Sequence, residues 1–285
     1  MAPSNSPRQP WLAGLLTLAA IGLGHHYIGD IKRGIFLFVG GQVVFLFACL
    51  CLLFYAPLGQ SIAIAAALSF LSFCIVDAVK RAVPSRRTYP LKKVNRWYYY
   101  LLYFLIGSFA VQPLFQLGVR THVAQAYRVP SGSMRHTLQI GDHIVTSKLR
   151  FMYSPPKRGD IVVFPLPRDP RKYFLQRVVG LGGETLEIRD KIVYINGHPL
   201  DEPYAVHMDK HIFSSDIQPR DNLDPLTIPA NALFVMGDNR DNSYDSRFWG
   251  AVPRSAVEGK ATSIYWSWDR EALRVRWGRI GKIID

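Results

Sequence analysis

The chain has 285 residues, 49% of them hydrophobic, with 34 Lys and Arg against 21 Asp and Glu and a formal net charge of +13. A mean hydropathy of +0.06 is high for a wholly soluble protein, and the length admits one domain of ordinary size beside a membrane region. The positive balance would suit nucleic acid, but seven of the basic residues fall in one break between apolar stretches. Attraction to anionic lipid accounts for them more simply, so a lipid surface is the expected partner and nucleic acid is not.

Residues 11–28, 34–58, 61–79 and 98–118 are long apolar stretches, each near the roughly 20 residues a helix needs to cross a bilayer. None shows the polar face at helical period that a helix of a soluble bundle would carry. Four spans are therefore expected, the first interrupted by His25 and His26. The break between the third and fourth holds Lys80, Arg81, Arg86, Arg87, Lys92, Lys93 and Arg96 without an acidic residue; the first break holds Asp30, Lys32 and Arg33; the second, 56–60, is uncharged. Lys and Arg accumulate on the cytoplasmic side. Breaks one and three are then inside, and both termini are outside. The division expected is a membrane region, 1–118, and an exported domain, 119–285, on the external or periplasmic face of the cytoplasmic membrane.

Cys49, Cys51 and Cys74 all fall in expected spans and read as small packing residues. The Pro-rich N-terminus has no charged n-region or small-residue cleavage site, so a cleavable signal sequence is not expected. His26 and Asp30 share a helix face, but at the inner end of a span they read as interfacial groups rather than ligands.

After Gly118 the pattern becomes short and alternating. Residues 144–146, 161–164, 173–179, 185–188, 192–195 and 233–236 read as strands, bounded by turn pairs such as Gly141-Asp142 and Gly159-Asp160. Asn196-Gly197 is the best hairpin signal. The polar, Pro-containing stretch 199–229 reads as an excursion from the sheet. The fold class is thus mixed: N-terminal transmembrane helices, then a mostly β domain. Trp266, Trp268 and Tyr265 suit either a membrane-facing rim or the core.

Two segments carry chemistry. In Pro130-Ser-Gly-Ser-Met-Arg-His-Thr-Leu138, Pro130 restricts the backbone and Gly132 permits a sharp turn, so that the Ser133 hydroxyl can be presented rather than packed. In Phe234-Val-Met-Gly-Asp-Asn-Arg-Asp-Asn-Ser-Tyr-Asp-Ser-Arg-Phe-Trp-Gly250, an apolar run enters a loop dense in side chains that need one another's hydrogen bonds.

Together these segments resemble the bacterial signal peptidase I (leader peptidase) family, over roughly residues 123–269. The resemblance implies a membrane-bound serine endopeptidase that removes signal peptides from exported preproteins after small residues. It implies Ser133 as nucleophile and Ser131 as an oxyanion donor beside the Ser133 N–H. Ser243 would orient the base, and Val129, Pro130, Met134, Leu138, Phe174 and Leu175 would line the substrate pockets. It further implies two structural pairs, Asp245 with Arg247 and Asp238 with Arg240. No metal or organic cofactor is implied; the expected partners are signal peptides of exported preproteins and membrane lipid.

One position departs. The family's base is a lysine just before the Arg of a strand, and in Tyr173-Phe-Leu-Gln-Arg-Val-Val-Gly-Leu-Gly-Gly-Glu184 that position is Gln176. Gly182, Glu184 and His136 also replace the family's Pro, Asp and Pro. An amide has no useful proton affinity near neutral pH, whereas a buried lysine can be shifted toward it. Lys172 shares the face of Gln176 but lies roughly 13 Å along the strand. His136 and then His143 are the substitute bases to consider. The alternative is an impaired or inactive paralogue that binds preproteins or regulates a peptidase.

Overall fold

A computed structural model describes residues 7–54, 58–86, 89–90, 95–166 and 169–284. The chain divides into two compact units, Met1–Thr121 and His122–Asp285. Arg87, Lys92 and Lys93 of the expected basic break, and residues 56 and 57 of the uncharged one, lie outside the described residues.

The first unit is helical: α1 (Pro10–Ala19), α2 (Leu23–Tyr27), α3 (Ile31–Phe54), α4 (Leu58–Ala82), α5 (Trp97–Leu105) and α6 (Gln112–His122), the last two joined by a π-helical stretch, Ile106–Val111. Among the described residues, three continuous helices are long and apolar enough to cross a membrane: Ile31–Leu53, Leu58–Ser85 and Trp97–His122. The expected first span is instead broken. α1 has 10 residues, about 15 Å of helix, half of a bilayer core. The chain turns at Gly22, whose φ of +90° falls where side chains are rarely tolerated. α1 packs against α4 and α2, which places His25 and His26 inside the unit. His25 Nε2 lies 2.9 Å from Asp77 Oδ2, and Arg33 and Arg81 converge on the same carboxylate at 3.1 Å each. His26 packs on the Tyr103 ring.

The second unit is mostly β. Its strands are β1 (Ala124–Arg128), β2 (Asp142–Ser147), β3 (Ile161–Leu166), β4 (Asp169–Leu181), β5 (Thr185–Arg189), β6 (Ile192–Ile195), β7 (His198–Pro199), β8 (Leu223–Thr227), β9 (Ala232–Met236), β10 (Val252–Pro253), β11 (Gly259–Asp269) and β12 (Arg274–Val275). An antiparallel sheet runs β1-β2-β11-β3-β4-β9-β10 with β12 paired to β11, and a second runs β7-β6-β5-β8. All six expected strands are present. Asn196 and Gly197, at φ of +50° and +81°, join β6 to β7 through the left-handed geometry that matches strand twist. The stretch 199–229 does leave the sheet, but it returns as β8 against β5. The sequence pattern does not predict β11, because Gly259-Lys-Ala-Thr-Ser interrupts the alternation with small and polar residues. Trp266 lies on an open face, edge-on to Trp277.

Apolar side chains of β4, β5, β6 and β9, with Ile228, form one core cluster, and those of β2, β3 and β11 with Val129, Met134 and Leu138 form another. β4 therefore runs through the middle of the unit. It carries Gln176 opposite Val162 of β3, and Arg177 opposite both Ile161 of β3 and Met236 of β9. β9 leads directly into the polar loop 237–245.

Candidate active site

Two connections build the site. β1 ends at Arg128, and Val129 and Pro130 lead from it into the Ser133 turn; β9 ends at Met236, from which the loop with Ser243 departs. Where the two segments meet, a side chain is excluded. A Cβ on Gly237 would come within 2.6 Å of Ser133 O and closer still to Ser243 Oγ, so only glycine lets the Ser133 turn and the Ser243 loop touch.

Buried polar contacts lock this junction. Asp238, fully buried, accepts from Arg177 Nε and Nη2 at 2.9 Å each and from the Thr137 hydroxyl. Asn239 donates from its backbone N to Ser133 O at 2.9 Å and from Nδ2 to Gly132 O at 3.1 Å. Asp245 accepts from Arg247 Nε and Nη2 at 2.8 Å and from Gly237 N at 3.1 Å. The fork of Arg247 also donates to Arg220 O and Arg240 O, each at 2.7 Å. Charge-assisted, two-pronged contacts of this kind fix geometry as well as contributing energy.

The expected pairing of Asp238 with Arg240 is replaced by two other pairs. Asp238 holds Arg177, and Arg240 holds Glu202 at 2.6 and 2.8 Å. The reason lies in direction. Arg177, next to Gln176 on β4, points from the strand beside β9 straight at the first residues of the loop. Arg240, two residues beyond Asp238, turns toward the excursion. Tyr204 of that excursion packs its ring 4.0 Å from the Arg177 guanidinium, so 199–229 braces the site. Thr137, Arg177, Glu202 and Asn239 were all passed over in the sequence reading. The clue for Arg177 was available: a charge inside an apolar strand requires a partner.

Ser131, Ser133, Val129, Pro130, Met134, Phe174 and Leu175 line one cleft of about 460 Å³, with Lys172 among the other lining residues. This is an ordinary volume for a ligand site. Leu138 is not in it: fully buried, it packs in the core beneath the turn. Among the described residues, the Ser133 hydroxyl meets one side chain, the Ser131 hydroxyl at 3.3 Å.

Gln176 is fully buried and donates from Nε2 to Tyr244 O at 2.9 Å. Its Oε1 and the Ser243 Oγ are both buried without a hydrogen-bond partner among the described residues. None of the expected substitute bases hydrogen-bonds the Ser133 hydroxyl, and neither histidine lines its cleft. His136 is exposed and outside the cleft lining, at a φ of +86° that proline could not adopt. The His143 Nδ1 faces Tyr265 Oη at 3.5 Å. Burial, with help from the Arg128 charge, holds the His143 pKa below the usual histidine value. Lys172 is exposed and bound to Asp169 at 3.4 Å.

The arrangement can present a hydroxyl to an extended chain and can offer the Ser131 hydroxyl and a backbone N–H to a developing oxyanion. Gln176, an amide and not a base, is buried against the Ser243 loop and is not among the residues lining the cleft. The family model described as "Signal peptidase, peptidase S26" matches residues 99–266. Signal peptidase I of Leptolyngbya laminosa is 38% identical over 173 residues, covering 58% of this chain and 80% of its own. That of Aquifex aeolicus (strain VF5) is 34% identical over 202 residues, covering 53% and 79%. That of Pseudomonas aeruginosa PAO1 is 32% identical over 194 residues, covering 53% and 68%.

Proposed function

The chain belongs to the signal peptidase family, peptidase S26, and from that premise we propose that it binds the signal-peptide end of exported preproteins at the Ser133 cleft and cuts there after a small residue, at a rate limited by Gln176. Ser133 Oγ attacks the scissile carbonyl as its proton passes to solvent water. The peptide C–N bond breaks with the amine leaving protonated from water, and a further water hydrolyses the Ser133 ester. Ser131 Oγ and the Ser133 N–H stabilise the oxyanion. Gln176 cannot accept the proton, so the general-base contribution, typically about 10²–10⁴-fold, is absent. The observation that carries this reading is the convergence of Ser131 and Ser133 on a mainly apolar cleft.

The membrane part of the reading rests on the three long apolar helices. It places the 80–96 stretch inside and residues 122–285 outside the cytoplasmic membrane. With an odd number of spans, the N-terminus then lies inside, opposite to the expectation from four spans, while Asp30 stays inside in both.

A second reading is a preprotein-binding protein without turnover, favoured by the hydrogen bond from Gln176 Nε2 to Tyr244 O. One experiment separates the two. The full chain in detergent is incubated with a preprotein whose signal peptide ends in Ala, as wild type, Ser133→Ala and Gln176→Lys. Slow cleavage by wild type, lost in Ser133→Ala, supports the enzyme. An inert wild type with an active Gln176→Lys supports the binder built on a peptidase scaffold. Inertness of both, with preprotein binding intact, ends the enzymatic reading.

A further inference from the structure

The Ser133 turn has a second flank. There Gly132 and Arg135 of the turn and Asn242 of the Ser243 loop border another cleft, of about 510 Å³, whose far wall is the β11–β12 connection. The first cleft is mainly apolar; this one is charged.

Asp269, Arg270, Glu271 and Arg276 supply that wall, and their charges are not equally available. Asp269 accepts from the backbone N of Glu271 and of Ala272 at 3.1 Å each and from Arg276 Nε at 3.3 Å. Arg276 spends its other nitrogens on Ile140 O at 3.1 Å. This pair is internally satisfied. Arg135, Arg270 and Glu271 are exposed and enter no ion pair among the described residues. Two guanidinium groups thus face the cleft against one free carboxylate.

Position assigns the occupant. A chain cut at Ser133 has its small, apolar residues before the scissile bond in the first cleft, and its continuation must pass over the turn. Gly132 leaves that passage open, since a Cβ there would meet nothing within 4 Å. Arg135 is two residues beyond the nucleophile, and an extended chain advances about 3.3 Å per residue, so the second to fourth residues after the cut come within reach of it. We infer that this second cleft receives the first residues of the mature protein and favours Asp or Glu among them, through Arg135 and Arg270. The inference rests on the reading of Ser133 as the cleavage position. Guanidinium groups match carboxylates in a two-pronged geometry, but exposed pairs are screened, so each contributes about two- to five-fold in affinity.

The test uses the full chain carrying Ser133→Ala, which cannot turn over. Fluorescent peptides share one signal-peptide end and one scissile position, and carry Asp/Glu, Gln or Lys at the second to fourth positions downstream. Dissociation constants come from anisotropy at low and high salt. The acidic peptide is expected to bind about ten-fold more tightly than the lysine peptide at low salt. Adding Arg135→Gln with Arg270→Gln should remove that preference, with circular dichroism and thermal melting matching those of Ser133→Ala to report an intact fold. Equal binding of all three peptides overturns this inference alone, as does a preference that survives the double substitution. If no peptide binds, the Ser133 cleft reading falls and this inference with it.

Discussion

Asn239 holds Ser133 by its backbone carbonyl at 2.9 Å while its side-chain Nδ2 holds Gly132 O at 3.1 Å. The Ser133 turn is therefore hung from the Ser243 loop by two successive carbonyls. Asn239→Ala keeps the first bond and loses the second, at a stability cost of about 1 kcal/mol or less. A loosened turn misplaces Ser133, so in the Gln176→Lys background cleavage is expected to fall about 10–100-fold. Paired denaturation and initial-rate measurements check this; a large loss of stability would show a structural role instead.

Asp238 and Arg177 form the buried ion pair beneath the site, 0% and 3% exposed. Asp238→Ala leaves the Arg177 guanidinium without its counter-charge and should destabilise the protein by about 3–5 kcal/mol. Urea unfolding followed by tryptophan fluorescence measures this. A change below about 1 kcal/mol, the level of an exposed pair, would contradict the burial seen here.

Acid sensitivity has a candidate source in Asp142. Burial would raise its pKa, but hydrogen bonds from Arg279, the Gln139 N–H and the Ser267 hydroxyl, together with the Arg279 charge, outweigh that and hold it below the usual aspartate value. A carboxyl depressed in the folded state stabilises fully above its unfolded pKa, about 3.9, and loses that contribution as the pH falls through the folded value. Asp142→Asn should be less stable than wild type at neutral pH. The gap should narrow below about pH 4; melting curves across pH would show a constant gap if the carboxylate played no part.

Lysine introduced at position 176 enters a fully buried site, where desolvation lowers its pKa. The rate of Gln176→Lys should therefore rise with pH through that lowered value and then level off, as the neutral amine becomes available. Ser243→Ala in the same background should reduce the plateau if, as proposed, the Ser243 hydroxyl orients the amine. A pH-independent rate would exclude the lysine as base.

Topology is open to a direct check. Protease added to intact spheroplasts should digest residues 122–285 and spare the basic stretch around residues 80–96. A tag before Pro10 should be protected if the three helices alone cross the membrane, and accessible if α1 and α2 complete a fourth span. Protection of the C-terminal unit would reverse the orientation and remove exported preproteins as its substrates.

The strands at 161–164, 173–179 and 233–236 and the Asn196-Gly197 hairpin were legible because local rules produce them: alternation of side chains across a pleat, and turns that require positive φ. The two segments around Ser133 and Ser243 were legible as chemistry for a related reason, since residue types set what a hydroxyl, an amide or a guanidinium can do. The broken first helix was not legible. Apolar composition alone cannot separate one long helix from two short ones that fold back when Gly22 turns and His25 finds Asp77, 52 residues away.

What the sequence determined by itself is thus the inventory: apolar helices, a β unit, a serine in a sharp turn, and an amide where a base would be needed. Only the tertiary structure decided who pairs with whom. Asp238 took Arg177 rather than Arg240, Leu138 went to the core rather than the cleft, and neither His136 nor His143 lines the Ser133 cleft. A hydrogen bond or ion pair depends on distance and direction between side chains far apart in the chain, and those are set by strand register and loop path rather than by spacing along the sequence.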